Sequence, residues 1–267
     1  MNPMIRKELT LRMRERRGWI LPSLYLVVLG AVATLAYYFV ALQSNNAFKH
    51  VQGSEVGVAM FLTAAYAQMG VLLLLAPIFS AGSLTIEKEQ RTMAGLLTSL
   101  LTPFQIWWGK FAASLLFVLL LIVIGLPVLS LSFAFGGIGP WEVFMATVTT
   151  VIALGSLSAV GLYWSSVFRR SVHATAVTYA TVIALTVVTF IIFIIPVSMH
   201  SPNTWQDLHW YVKCPLYLNP VFFLTMSFAP PHHLSPEWIR CLVVFVVLGL
   251  TASALSLWNV RRAGEGI

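Results

Sequence analysis

The sequence predicts an all-α integral membrane protein with six transmembrane helices, and three observations carry that prediction. Of 267 residues, 58% are hydrophobic and only 9% are charged, against roughly 25% charged in an ordinary soluble domain. Six stretches, 18–48, 56–86, 111–141, 143–168, 171–206 and 241–260, contain no charge at all, and each reaches the about 20 residues needed to cross a hydrocarbon layer of about 30 Å. Lysine and arginine are split unevenly between the two faces those stretches define. Backbone donors in lipid must find acceptors within their own segment, so each crossing is read as a helix. The mean hydropathy of +0.85 excludes a water-soluble globule. A net charge of +7 with a pI near 9.7 would suggest nucleic acid in a soluble chain. Here the cations sit in short clusters between apolar runs, so topology explains them and no nucleic acid is implied. Cys214 and Cys241 are too few for a disulfide framework.

The chain reads as a single transmembrane domain over 1–267. Residues 1–17 open it, where Ile5, Leu9 and Met13 repeat every fourth position among Arg6, Lys7, Arg12, Arg14, Arg16 and Arg17. That spacing predicts an interfacial helix with an apolar stripe against the acyl chains and cations toward lipid phosphates. The apolar run behind it is too long for a cleaved signal peptide, and no convincing small-residue cleavage site follows it. Spans are expected at about 19–42, 58–82, 107–135, 141–167, 174–199 and 236–258. Pro22, Pro77, Pro127 and Pro196 fall within or near them, where a lost backbone bond favours a kink.

Between spans two and three, residues 87–102 predict a helix with a charged head, Glu87, Lys88, Glu89 and Arg91. Met93, Leu96, Leu97, Leu100 and Leu101 share one face of it. Glu87 and Glu89 favour the positive end of its dipole and Pro103 stops it. Amphipathicity alone leaves open whether that face meets the chain's own bundle or a partner. Residues 200–235, between spans five and six, are rich in Trp, Tyr and Pro, and Leu216 to Phe228 is apolar yet too short to cross. A re-entrant or interfacial element is expected there.

With the N-terminus inside, thirteen Lys and Arg fall on the inner face and three, Lys49, Lys213 and Arg240, on the outer. The positive-inside rule then places both termini in the cytoplasm. Almost no charge stands within the spans, Glu142, Glu237 and Arg240 lying at their expected ends, which argues against a proton relay. No phosphate-cradling loop, His-Glu-x-x-His or Gly-x-Ser-x-Gly elbow is present. His200, His209, His232 and His233 crowd the outer face, without the ligand spacing of a metal site.

Together these residues resemble the membrane-spanning permease subunits of type-2 ATP-binding-cassette (ABC) transporters. Ile5-Arg6-Lys7-Glu8-Leu9 and the arginines after it are similar to that family's N-terminal elbow helix. Glu87-Lys88-Glu89-Gln90-Arg91-Thr92-Met93 through Leu100-Leu101-Thr102-Pro103, then Gly109-Lys110, is similar to its cytoplasmic signature, with Arg91 where many relatives carry Gly. Leu218-Asn219-Pro220 lies in a segment similar to the family's outer re-entrant helices.

The resemblance implies a half-transporter in the cell (inner) membrane and, by the same analogy, an exporter. It would pair with a second protomer, identical or not, and dock on a separate ABC ATPase. ATP and Mg would be held by that ATPase and no cofactor by this chain. Residues 87–102 become its coupling helix, with Glu87, Lys88, Glu89, Arg91, Met93, Leu96 and Leu97 as ATPase contacts. Spans one, two and five would line the path, offering Tyr37, Tyr38, Phe61, Tyr66, Gln68, Thr178, Tyr179, Thr186 and Phe190. That lining suits an apolar or amphipathic substrate better than a bare ion, and the same residues equally suit helix packing. Two other classes compete: an integral-membrane enzyme using the outer histidines, and a membrane anchor of a larger complex.

Overall fold

The computed structural model describes residues 10, 17–44, 53–91, 102–200, 210–228 and 235–265. Every described element is helical, and six helices are long and apolar enough to cross a membrane, so this is a multi-pass membrane protein. Span one is Arg17–Ser44, span two Gly53–Ala81, span four Pro140–Val167 and span six Pro236–Glu265. Span three is Pro103–Ser130, continued by a tighter 3₁₀ turn at Leu131–Phe135. Span five comprises Ser171–Ile183 and Thr189–His200, joined through a π turn at Ala184–Val188. Pro22, Pro77 and Pro127 lie inside their helices without ending them.

The helix ends correct the sequence reading in several places. Span three begins at Pro103 and not at Trp107. Thr102 caps it, accepting from the Gln105 N–H at 3.3 Å while the Gln105 side chain accepts from the Thr102 N–H at 3.0 Å. Proline suits a first helical position, where its missing N–H costs nothing. So Pro103 starts a helix where the sequence reading has it stopping one. Span five begins at Ser171, Arg17 belongs to span one, and span six runs on through Arg261 and Arg262 to Glu265.

The predicted helix 87–102 is also redrawn. Its charged head forms a separate short helix, Thr85–Glu89, closed at Gln90 and followed by Arg91 at φ +56°. Residues 92–101, with Met93, Leu96 and Leu97, lie outside the described residues. So do Arg6, Lys7, Arg12, Arg14 and Arg16 of the predicted interfacial helix, and the outer His209, His232 and His233. Between spans five and six the described chain forms two short helices, Trp210–Leu216 and Pro220–Met226.

Spans two, three and four form the centre. Phe61, Met69 and Leu72 from span two, Leu121 and Ile122 from span three, and Ala153 and Leu154 from span four are all buried in one core. Span six lies along span four, where Ser156 donates to the Phe245 carbonyl at 2.7 Å. At the end near residues 217–238, Phe223 stacks on Phe245 with ring centroids 5.2 Å apart, and Trp238 donates to the Thr149 hydroxyl at 2.9 Å.

The close approach of spans two and four depends on Gly161. A Cβ added there would stand 2.1 Å from the Ser80 hydroxyl oxygen and 2.9 Å from its Cβ. Gly161→Val therefore forces the two spans apart and costs about 1–3 kcal/mol, visible as a lower thermal midpoint in detergent. Gly155→Ala is the control: its added carbon meets Leu115 at an ordinary 3.6 Å and leaves the midpoint nearly unchanged.

Candidate functional site

The described charges of the 87–91 motif converge where spans two to six end together. The short helix Thr85–Glu89 starts against span four. The fully buried Ser165 places its hydroxyl oxygen to accept from the backbone N–H groups of Leu84 and Thr85, at 2.9 and 3.0 Å. Two of the four donors left over at any helix start are thereby satisfied. Leu84 fills a small apolar cluster with Trp107, Leu162 and Val260.

Each charge on that helix then closes the end of a span. Lys88 donates its ammonium to the carbonyls of Ser165 (3.2 Å), Ser166 and Phe168 (3.1 Å). These are the unpaired carbonyls at the C-terminus of span four, the negative end of its dipole. Glu89 does the converse at span five, accepting from the Ser171 backbone N–H at 2.7 Å and from the Ser171 hydroxyl at 3.0 Å. A carboxylate there faces the positive end of a helix.

Glu87 reaches back to span three and lies 3.3 Å from the Lys110 ammonium. Lys110 also donates to the Ser83 carbonyl at 2.7 Å. Only 2% of the Lys110 side chain is exposed, so its charge depends on these partners in place of water. Span six joins through Asn259, which donates to the Ser166 hydroxyl at 3.0 Å. Glu87, Lys88 and Glu89 thus tie the short helix to spans three, four and five.

The arrangement refines the expected site. Glu87, Lys88 and Glu89 have their partners within the chain, while Arg91 is exposed. Lys110, Ser165 and Asn259 complete the junction and were not among the expected site residues. Lys110 carried a signal, since a lysine at the mouth of a long charge-free run needs a counter-charge. Ser165 and Asn259 carried none, because small polar residues are routine in membrane helices.

The residues expected along a path fall in different settings. Phe61, Gln68 and Thr178 are buried inside the bundle, and Gln68 lies beside Tyr25 around Gly125. Tyr66 donates to the Thr225 hydroxyl at 3.0 Å, and Thr186 to the Val182 carbonyl at 2.9 Å. Tyr37, Tyr38 and Phe190 are exposed on spans one and five.

Opposite the charged junction, Asn219 is a second tie. It caps Pro220–Met226, accepting from the Val221 and Phe222 N–H groups at 2.9 and 3.2 Å. Its amide donates to the Thr186 carbonyl and the Thr189 hydroxyl, both at 2.9 Å, where span five widens. Nearby, burial and a hydrogen bond to Glu237 push the Tyr217 phenol up, so it remains a donor.

Residues 3–251 match a family described as ABC-2 family transporter protein. No curated protein matches the chain.

Three substitutions test the junction by thermal unfolding in detergent. Lys110→Met removes the ammonium that faces the Glu87 carboxylate and the Ser83 carbonyl and costs roughly 3 kcal/mol. Adding Glu87→Gln to it recovers more than half of the loss. Arg91→Gly raises stability by about 1 kcal/mol, because φ +56° is a left-handed conformation that penalises any residue with a Cβ.

Proposed function

The chain belongs to the ABC-2 family of transporter proteins, and from that premise we propose that it is the permease half of an exporter driven by a separate ABC ATPase. As a membrane transport subunit it provides the crossing, and ATP and Mg are bound by the partner ATPase. The unequal split of basic residues supports a cytoplasmic position for both termini and for the charged junction, in the cell (inner) membrane.

The observation that carries this reading is the junction itself. Residues 92–101 connect two fixed points. On one side is the helix Thr85–Glu89, bonded to spans three, four and five. On the other is the capped start of span three at Thr102. In the proposed cycle Met93, Leu96 and Leu97 bury against the ATPase and Arg91 supplies a charge at the rim, whereas Glu87, Lys88 and Glu89 hold the frame. ATP-driven closure of the ATPase then pushes on 92–101, and the frame delivers that push to spans three, four and five at once. The nucleotide acts by favouring one of two arrangements through differential binding.

Spans one and five support pairing with a second protomer, identical or not. Each has only 17% of its apolar window buried within the chain, against 61% for span two. Their exposed Tyr38 and Phe190 then border the path, which favours an apolar or amphipathic cargo.

Co-expression with an ABC ATPase tests the proposal. Leu97→Arg is expected to abolish co-purification of the ATPase and its stimulated hydrolysis while leaving the thermal midpoint of the permease unchanged. Retention of both with Leu97→Arg and with Met93→Arg removes the coupling role. Assembly without ATP-dependent movement of any lipid, drug or peptide in a reconstituted panel favours the membrane-anchor reading.

A further inference from the structure

A groove of about 540 Å³ runs between spans three, four and six. We propose that it seats one acyl chain of an anionic phospholipid, whose phosphate lies against Arg261 and Arg262.

The floor is made of small residues, Gly155, Ser156 and Ala159 of span four with Gly249 of span six. Its polar groups are few: the Ser156 hydroxyl, already committed to the Ile152 and Phe245 carbonyls at 2.8 and 2.7 Å, the Ser253 hydroxyl and the Trp107 indole N–H. A strongly polar ligand would lose more hydration here than these can replace, whereas a hydrocarbon chain loses nothing. The walls are aromatic. Trp107 stacks on Phe111 with centroids 5.3 Å apart, and Phe104 on Trp108 at 6.3 Å.

The depth matches one leaflet. On span three the lining extends from Phe104 to Leu115 and on span six from Val246 to Leu257. Either stretch covers about 16 Å at about 1.5 Å per residue, which is half of a hydrocarbon core of about 30 Å. A neighbouring helix crossing the membrane would need a groove twice as deep.

The charged end matches a headgroup. Leu250, Ala254 and Leu257 line the groove from one face of span six, and the next residue on that face is Arg261. Arg262 stands 3.7 Å over the Trp258 ring, and both arginines are exposed. The exposed Trp108 and Trp258 mark headgroup depth at the same end. The groove therefore opens beside two cations at the interface and descends as apolar surface, which is the polarity of a phospholipid.

Native mass spectrometry of the purified full-length protein, titrated with dioleoylphosphatidylglycerol or dioleoylphosphatidylcholine, tests this. One phosphatidylglycerol per chain is expected to persist where phosphatidylcholine is lost. The exposed double variant R261Q/R262Q should lower that preference about tenfold or more, since each interfacial cation contributes roughly a fivefold affinity. A254W, which fills the groove, should weaken retention of both lipids. Equal retention of the two lipids by the unaltered protein overturns the proposal, as does unchanged phosphatidylglycerol binding in R261Q/R262Q. A change of oligomeric state in A254W assigns the groove to a second copy and overturns it likewise.

Discussion

Charge is expensive in hydrocarbon, and that cost organises this chain. Among the described residues, most charges stand where water, headgroups or helix ends can stabilise them, and Lys110, buried within span three, is held by the Glu87 carboxylate and the Ser83 carbonyl. Helix ends have the complementary difficulty: backbone N–H and C=O groups without partners, at a depth where water is scarce. Lys88 and Glu89 answer both at once, one on the open carbonyls of span four and the other on the open amides of span five. A helix of five residues has no stability of its own. Thr85–Glu89 exists because its ends and charges are bonded to spans, and those spans end where they do partly because it is there.

That mutual dependence makes the junction a rigid body. Ser165 fixes its start, Lys110 holds it from span three, and Leu84 anchors it in apolar packing. Displacing such a unit moves every span it touches, because breaking one contact would leave a buried charge or amide unpaired. Rigidity of this kind suits the transmission of a push, and it would hinder a passive anchor no more than help it. The distinction lies in residues 92–101, which the junction brackets on one side and the cap at Thr102 on the other.

Much of the architecture was legible in the sequence, because long charge-free runs admit one solution in lipid. The number of spans and most of their middles follow from length and hydropathy alone. Their ends were harder to read. Pro103 is equally at home stopping one helix or starting the next, and only the Thr102–Gln105 pair decides between them. Which way each side chain faces was not legible either. Spans two and three are apolar all round, so their sequences carry no moment to show that Phe61 and Gln68 turn into the core. The charged motif was found by spacing, but its inward use depends on Ser165 and Asn259, which are separated from it by more than seventy residues.

Span five is where these constraints meet. It has little burial along its length, a π turn at Ala184–Val188, a firm tie at its start and another in its middle. Glu89 holds its start and Asn219 its widened middle turn, each through bonds to its backbone or to a hydroxyl upon it. A π turn leaves the backbone locally less well paired than an α-helix and commonly marks a functional position. The result is a helix gripped at the charged end, hooked at a second point, and packed on the core between them only through a narrow stripe, Ala174, Thr178 and Val182. Movement of the junction would therefore tilt span five about the Asn219 tie more readily than it would shift spans two to four, whose shared core resists relative sliding. The exposed face of span five, with Phe190, is the surface such a tilt would reposition.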